Sequence, residues 1–229
     1  MSPAVPPPPV PTLRRERLAW AEQRLLVGID EVGRGPLAGP VVAAAVVFPP
    51  GMQRIRGIRD SKVLPLARRE KLALLIRARA IRIGLGAASS REIDRFNIRV
   101  ASALAMRRAL LRLLGLSLGR GRALAPWPPD SLATYSVVID GLPLPEIGLP
   151  HEAIIDGDAL CYSVAAASIV AKTVRDRIMR LLALRYPAYC WETNVGYSTR
   201  EHLDGICRAG ATRHHRISFA PVAQHELWG

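Results

Sequence analysis

The sequence predicts an α/β domain built on a mixed sheet, and three observations carry that expectation. Apolar runs of strand length recur between turn residues, at Leu25–Asp30, Val41–Phe48, Ile81–Ala88, Thr134–Asp140 and Glu152–Asp156. Segments with helical length and pattern stand between the later runs. The apolar and charged fractions, 49% and 22%, are those of a chain that folds around a core.

The elements follow in order. Residues 1–11 carry six prolines and no charge, so residues 1–12 are expected to form a disordered tail and 13–229 the folded domain. Leu13–Arg24 is rich in helix formers and predicts a short leading helix. Leu25–Asp30 and Val41–Phe48 read as buried strands, with Pro36 and Pro40 fixing the turn between them. Pro65 stands at a first helical turn, and the basic, amphipathic stretch Leu66–Ala80 follows it. After the third strand, Ser89 is an N-cap candidate for a short helix, and Asn97–Leu114 predicts another. Gly115–Ser131, rich in glycine and proline, reads as an exposed loop. "TYSVVID" (134–140) is the clearest later strand, Glu152–Asp156 a short fifth, and Leu160–Leu184 a long alanine-rich helix. Short helices are expected in the last forty residues.

The net charge of +13 points to a polyanionic partner, nucleic acid above all. Only Lys62, Lys71 and Lys172 among the 32 basic residues are lysines. Cys161, Cys190 and Cys207 are far apart and form no CxxC pair, which argues against a zinc ribbon or a disulfide framework and fits a reducing compartment. No signal-peptide pattern opens the chain, and the apolar stretch Leu37–Phe48 is too short to span a bilayer. The expectation is a soluble, cytoplasmic protein.

The chemistry concentrates in "VGIDEVGRGPLAGP" (27–40). Asp30 ends the first strand and Asp140 the fourth, each behind an apolar run. In open α/β sheets the edge where such strands end is where sites form, so neighbouring strands would bring the two carboxylates together. A third acid, Asp158, follows Gly157 just before the long helix. Oxygen ligands converging without histidine or cysteine suit Mg²⁺ or Mn²⁺. Two such ions about 3.5–4 Å apart can activate water and stabilise a leaving oxygen in phosphodiester cleavage. The same acids would also serve as strand-end caps and a solvated turn, and spacing alone does not separate the two readings. His202, His214 and His215 match no common metal-site spacing; for the last two the expected role is basic contact with phosphate. Arg175-Asp176 reads as a structural pair on the long helix, and Ala165–Ala171 as a tightly packed segment that lets the helix sit close beneath the site.

Five blocks carry a family resemblance: "GIDEVGRGPLAGPVVAAAVV" (28–47), "DSKVL" (60–64), "IDG" (139–141), "GDALCYSVAAASIVAKTVRDR" (157–177) and "GYSTREHLDGICRAGATRHHRISFAPV" (196–222). In this order they resemble bacterial ribonuclease HII, of the type 2 ribonuclease H family. The resemblance implies a ribonuclease-H-like fold, with a five-stranded mixed sheet flanked by helices and a small helical C-terminal extension. It implies metal-dependent cleavage of RNA in RNA–DNA hybrids and of duplex DNA at embedded ribonucleotides, by a monomer holding one or two Mg²⁺ or Mn²⁺ ions. Asp30, Glu31, Asp140 and Asp158 match the family's catalytic, metal-binding carboxylates. Gly33, Arg34 and Gly35 match the segment that reads the ribonucleotide, and Tyr197 the tyrosine that packs on the sugar. Lys62 is the expected phosphate contact. Neighbours on a regular strand face opposite ways, so Glu31 can join Asp30 only if the strand ends there.

The chain departs from the family at two points beside the site. Asp156 stands before Gly157, where the family often has lysine, and "ETNVGY" (192–197) lacks the basic residues often found before the glycine-tyrosine. The Gly115–Ser131 stretch and the proline tail are additions. Two rivals share parts of the pattern: a DNA-directed nuclease or resolvase of similar fold, and a hybrid-binding protein without chemistry. The first has no use for a ribose reader, and the second has no need of four acids.

Overall fold

A computed structural model describes residues 10–59, 61–116, 127, 130 and 132–228, with side chains to residue 224. Helix α1 (Arg14–Ala21) leads into β1 (Leu25–Val32) and β2 (Val41–Val47), then α2 (Leu66–Arg79), β3 (Arg82–Ala88) and α3 (Ser90–Leu113). Strands β4 (Tyr135–Asp140) and β5 (Glu152–Ile154) follow, then α4 (Gly157–Leu160), α5 (Tyr162–Arg185), α6 (Trp191–Asn194), α7 (Arg200–Ala209) and α8 (Ala220–Trp228). The predicted strands and main helices are all present, with boundaries moved by a few residues.

The five strands form one mixed sheet in the order β3-β2-β1-β4-β5. β1 pairs antiparallel with β2 and parallel with β4, in a register that sets Ile29 opposite Ile139. The strands that end near Asp30 and Asp140 are therefore neighbours running the same way, as the convergence argument requires. β1 does not stop at Asp30, however. It continues along β2 to Val32, pairing Glu31 with Ala43.

Every residue of β2 is buried, because helices cover both faces of the sheet. Val41, Ala43, Ala45 and Val47 pack with Val27, Ile29 and the α3 residues Ala105, Ala109 and Leu110. Ala44 and Val46 point the other way, among Leu72 and Ile76 of α2 and Ala165, Ala166 and Ile169 of α5. Small residues let these helices lie against the sheet. A Cβ on Gly28 would stand 2.3 Å from the Ser163 carbonyl carbon, and one on Gly86 would stand 2.1 Å from the Ala105 oxygen. The expected close-packed Ala165–Ala171 segment sits on this contact, buried throughout.

Local chemistry accounts for the helix ends. Ser89 caps α3 by accepting from the Glu92 N–H, while the Glu92 carboxylate accepts from the Ser89 N–H, a capping box. The two helices expected around Asn97 are present within α3, meeting at a kink where Asn97 has a positive φ of 67°. The long helix is interrupted at Cys161, so α4 is a separate turn. Glu16 of α1 is buried and accepts from the Ser163 N–H at 2.7 Å and its hydroxyl at 2.8 Å, joining α1 to the start of α5. The expected tail ends earlier than residue 12, since Pro11 is buried and Thr12 bridges to Cys161. Residues 1–9 and most of the expected 115–131 loop lie outside the described residues; within that loop Trp127 donates to the Ile147 carbonyl at 3.0 Å.

The glycine contact gives a direct test. Gly86→Ala forces β3 away from α3 and is expected to lower stability by about 1–3 kcal/mol. Urea unfolding should show a lower midpoint at an unchanged slope; an unchanged midpoint would mean that the helix yields freely there.

Candidate active site

The acids collect at the edge of the sheet where β1 and β4 end. Asp30 is buried, and its Oδ1 accepts from the Glu31 N–H at 2.7 Å. Burial raises its pKa well above the usual carboxylate range, and Glu31, Asp140 and Asp158 add repulsion in that order of importance after burial. The Ser168 hydroxyl donates to Asp30 and works against this shift. Ser168 in turn shares a 2.9 Å hydrogen bond with the buried Ser61, which ties the "DSK" segment to the first acid.

Glu31 is pushed up from 4.5 to about 7, chiefly by burial, with Asp140 adding to the shift and Arg34 opposing it through a 3.2 Å salt bridge. Although β1 stays regular through Glu31, β4 ends at Asp140, and beyond that end the Glu31 side chain acts on both Asp30 and Asp140. Asp140 is raised by burial and held back by the Gly157 N–H at 2.7 Å, by Lys62 and by the Gly141 N–H. Asp158 sits buried in the first turn of α4. The structure thus brings all four predicted carboxylates into one electrostatic group, with Lys62 close by.

The donor set fits a hard divalent cation, because each carboxylate is raised by burial or bears on one that is, and a cation would relieve all of them together. Among the described residues no three His, Cys, Asp or Glu side chains form a ready metal-binding group, so the acids share a field rather than a coordination sphere.

The other predicted residues lie next to this group. Gly33 has a φ of +97°, and a Cβ there would stand 2.0 Å from Arg175 Nε, so only glycine fits. Arg34 and Gly35 are exposed, and a Cβ on Gly35 would stand 3.7 Å from the Tyr197 ring, which is 45% exposed. Tyr197 is held from below. Trp191 donates to His202 Nε2 at 3.0 Å, which leaves His202 Nδ1 as donor to the Tyr197 carbonyl at 2.8 Å.

Two sequence expectations fail here. His215 is buried and cannot meet phosphate; it bonds to His202 at 3.1 Å and accepts from the Thr212 N–H, and burial lowers its pKa to about 4. His214, by contrast, is half-buried edge-on to the Tyr186 ring and keeps part of its surface open, so the expectation fails for His215 alone. Arg175 and Asp176 are not a pair either. Asp176 holds Arg69 at 2.6 Å and Lys172 at 2.7 Å, while Arg175 donates to the carbonyls of Pro40, Val195 and Ala38. Successive helical side chains point about 100° apart, so adjacency on a helix does not make a contact. Sequence reasoning missed Ser61, Ser168 and His202 as supports of the site, since no local pattern marks their partners.

A family model described as Ribonuclease HII matches residues 27–222. The chain belongs to that family. The Ribonuclease HII of Cereibacter sphaeroides is 52% identical over 216 residues, covering 93% of this chain and 92% of that protein. That of Rhodospirillum rubrum is 47% identical over 219 residues, covering 94% and 91%. The crystal structure of the ribonuclease H2 from Pyrococcus horikoshii OT3 matches with a TM-score of 0.69 at 25% identity, over 89% of this chain and 98% of that one. Bst ribonuclease HIII in complex with Mn²⁺, at 20% identity and a TM-score of 0.69, shares the fold over 94% of this chain and 74% of that one. As a ribonuclease HII of ribonuclease-H-like α/β fold, the chain is an endoribonuclease that degrades the RNA strand of RNA–DNA hybrids. No helix among the described residues is long and apolar enough to cross a membrane.

The carboxyl shifts set a pH dependence. With its pKa raised from 4.5 to about 7, folded Glu31 binds more protons than unfolded Glu31 between those values. Its contribution to stability is present below about pH 4.5 and is lost as pH rises through about 7. In EDTA, Glu31→Gln should flatten the stability-versus-pH curve across this window, by on the order of 1–3 kcal/mol. Urea unfolding from pH 5 to 8 would show it; a curve parallel to the parent's would mean that Glu31 carries no such penalty.

Proposed function

We propose that this ribonuclease HII also nicks duplex DNA at embedded ribonucleotides, using Asp30, Glu31, Asp140 and Asp158 as its metal-binding and catalytic carboxylates. The observation that carries this reading is the juxtaposition at one sheet edge of mutually destabilised acids with the glycine-arginine-glycine segment, exposed at Arg34 and Gly35, and Tyr197. One or two Mg²⁺ or Mn²⁺ ions bound by the acids would activate the attacking water and balance charge on the leaving oxygen.

The chain's own groups divide the remaining work. Asp30 and Asp140, side by side where the parallel pairing of β1 and β4 ends, supply the fixed part of the acid group. Glu31 and Asp158 complete it from the strand extension and from α4. Gly33-Arg34-Gly35 lets backbone groups approach a ribose closely, and the 2′-hydroxyl is the atom that distinguishes RNA from DNA there. Tyr197 packs on the neighbouring sugar. Lys62, near enough to favour the charged form of Asp140, meets a phosphate. Hydrolysis on the 5′ side of the ribonucleotide leaves 3′-hydroxyl and 5′-phosphate ends. The working form in this reading is a monomer. Three free cysteines and a nucleic-acid substrate support a cytoplasmic location.

A DNA duplex with one ribonucleotide, beside an all-DNA control, tests the reading in Mg²⁺, Mn²⁺ or EDTA. A metal-dependent nick at the ribonucleotide with the control intact is expected; cleavage of both duplexes would point instead to a DNA-directed nuclease. Asp140→Asn should fold normally and lose most cleavage, on the order of 100-fold or more, as for other groups that stabilise charge at a reacting centre. Near-parental rates in that variant would remove Asp140 from the catalytic set.

A further inference from the structure

Arg175 and Arg216 are both fully buried, and neither is in an ion pair among the described residues. Burying a cation without a carboxylate is costly, and burying two side by side is more so. Their partners are backbone carbonyls. Arg216 donates from Nη2 to Gly33 at 2.6 Å and to Gly39 at 2.9 Å, from Nη1 to Arg34 at 2.8 Å, and from Nε to Gly39 at 3.1 Å. Arg175 donates to Pro40 at 3.0 Å, Val195 at 2.9 Å and Ala38 at 3.1 Å. The two guanidiniums thus fix the whole 33–40 segment and fasten it to residue 195, two positions before Tyr197.

The direction of these bonds matters. In a trans peptide the N–H lies opposite the C=O of the preceding residue. With the Gly33 and Arg34 carbonyls turned inward to Arg216, the N–H groups of Arg34 and Gly35 are turned outward. Among the described residues neither N–H donates to a protein group. They open beside Tyr197, where the segment is exposed.

We propose that Arg216, assisted by Arg175, is a positioning residue for ribose recognition: it turns two carbonyls away from the substrate so that the Arg34 and Gly35 N–H groups present themselves to the sugar. This rests on the reading of residues 33–35 as the ribose reader. A guanidinium suits the task because its planar fork reaches three carbonyls at once, whereas a lysine ammonium donates from a single point.

The test uses the full chain, the variants Arg216→Lys and Arg175→Lys, and binding in EDTA to two duplexes that differ only in one 2′-hydroxyl. The parent should bind the ribonucleotide duplex more tightly than the all-DNA duplex. Arg216→Lys should lower that ratio by about tenfold, the worth of one to two hydrogen bonds, with all-DNA affinity unchanged. Arg175→Lys, which leaves the Gly33 and Arg34 bonds in place, should lower it less. A folded Arg216→Lys variant with the parental ratio would overturn the proposal. So would loss of cooperative unfolding in both variants, which would make the arginines determinants of the fold at large. A parent that binds both duplexes equally would remove the ribose reader itself, and the proposal with it.

Discussion

Carboxylates crowded at the end of a buried strand pair repel one another in a place where water cannot screen them, and the architecture around the site is organised by that constraint. Burial is the leading cause of the upward shift at Asp30, Glu31 and Asp140 alike. Each acid is met by a group that favours its charge: the Ser168 hydroxyl at Asp30, Arg34 at Glu31, and the Gly157 and Gly141 N–H groups with Lys62 at Asp140. These groups come from α5, the 33–40 segment, the loop before α2 and the turn into α4. They come together because α5 lies close against the sheet, which Gly28 and the alanines of α5 allow. Close packing and acid placement are therefore one problem with one solution.

The neighbouring segment meets the opposite difficulty with two buried cations. The carbonyl dipoles of residues 33–40 stand in for the missing carboxylates, and in return the segment loses its freedom to rearrange. Sites that hold a backbone against its own preferences depart from the rules that govern stable cores, and the supports around them are correspondingly rigid. Here the rigidity extends to Tyr197 by a second route, through His202 and Trp191. The 33–40 segment and the stretch that carries Tyr197 are thus fastened to each other by buried polar contacts, while Asp30 and Glu31 just upstream are fixed by the sheet.

How much of this was legible in the sequence follows from the range of the interactions involved. Asp30 and Asp140 were readable because a strand-end acid behind an apolar run is a local pattern, and parallel neighbours then bring such ends together. Glu31 was only half readable: alternation says that it should face away from Asp30, and nothing local says that β4 stops short and leaves the edge open. Arg216 reaches carbonyls more than 170 residues away in sequence, so its role has no local signature. Arg175-Asp176 misled because opposite charges side by side look like a pair, although helical geometry sends them to different partners. His215 misled in the same way, its polarity suggesting solvent where the fold buries it. The elements themselves were read well, because periodicity and caps act within a few residues.

Asp156 shows how far a departure from the family pattern reaches into the site. Its position demands a left-handed backbone, φ 55°, at the cap of α4. Aspartate adopts that conformation more readily than a long side chain such as lysine, since its short polar group can bond locally. The substitution therefore favours the turn that delivers Gly157 and Asp158 to the acids. Its electrostatic effect runs the other way, raising Asp140, but it is the smallest of the five influences there, and Asp156 is exposed. Water screens an exposed charge far better than a buried one, whereas the Gly157 N–H acts on Asp140 at 2.7 Å. The Asp156 charge is the weakest of the named influences on Asp140, and the turn it caps supplies the Gly157 N–H that opposes it.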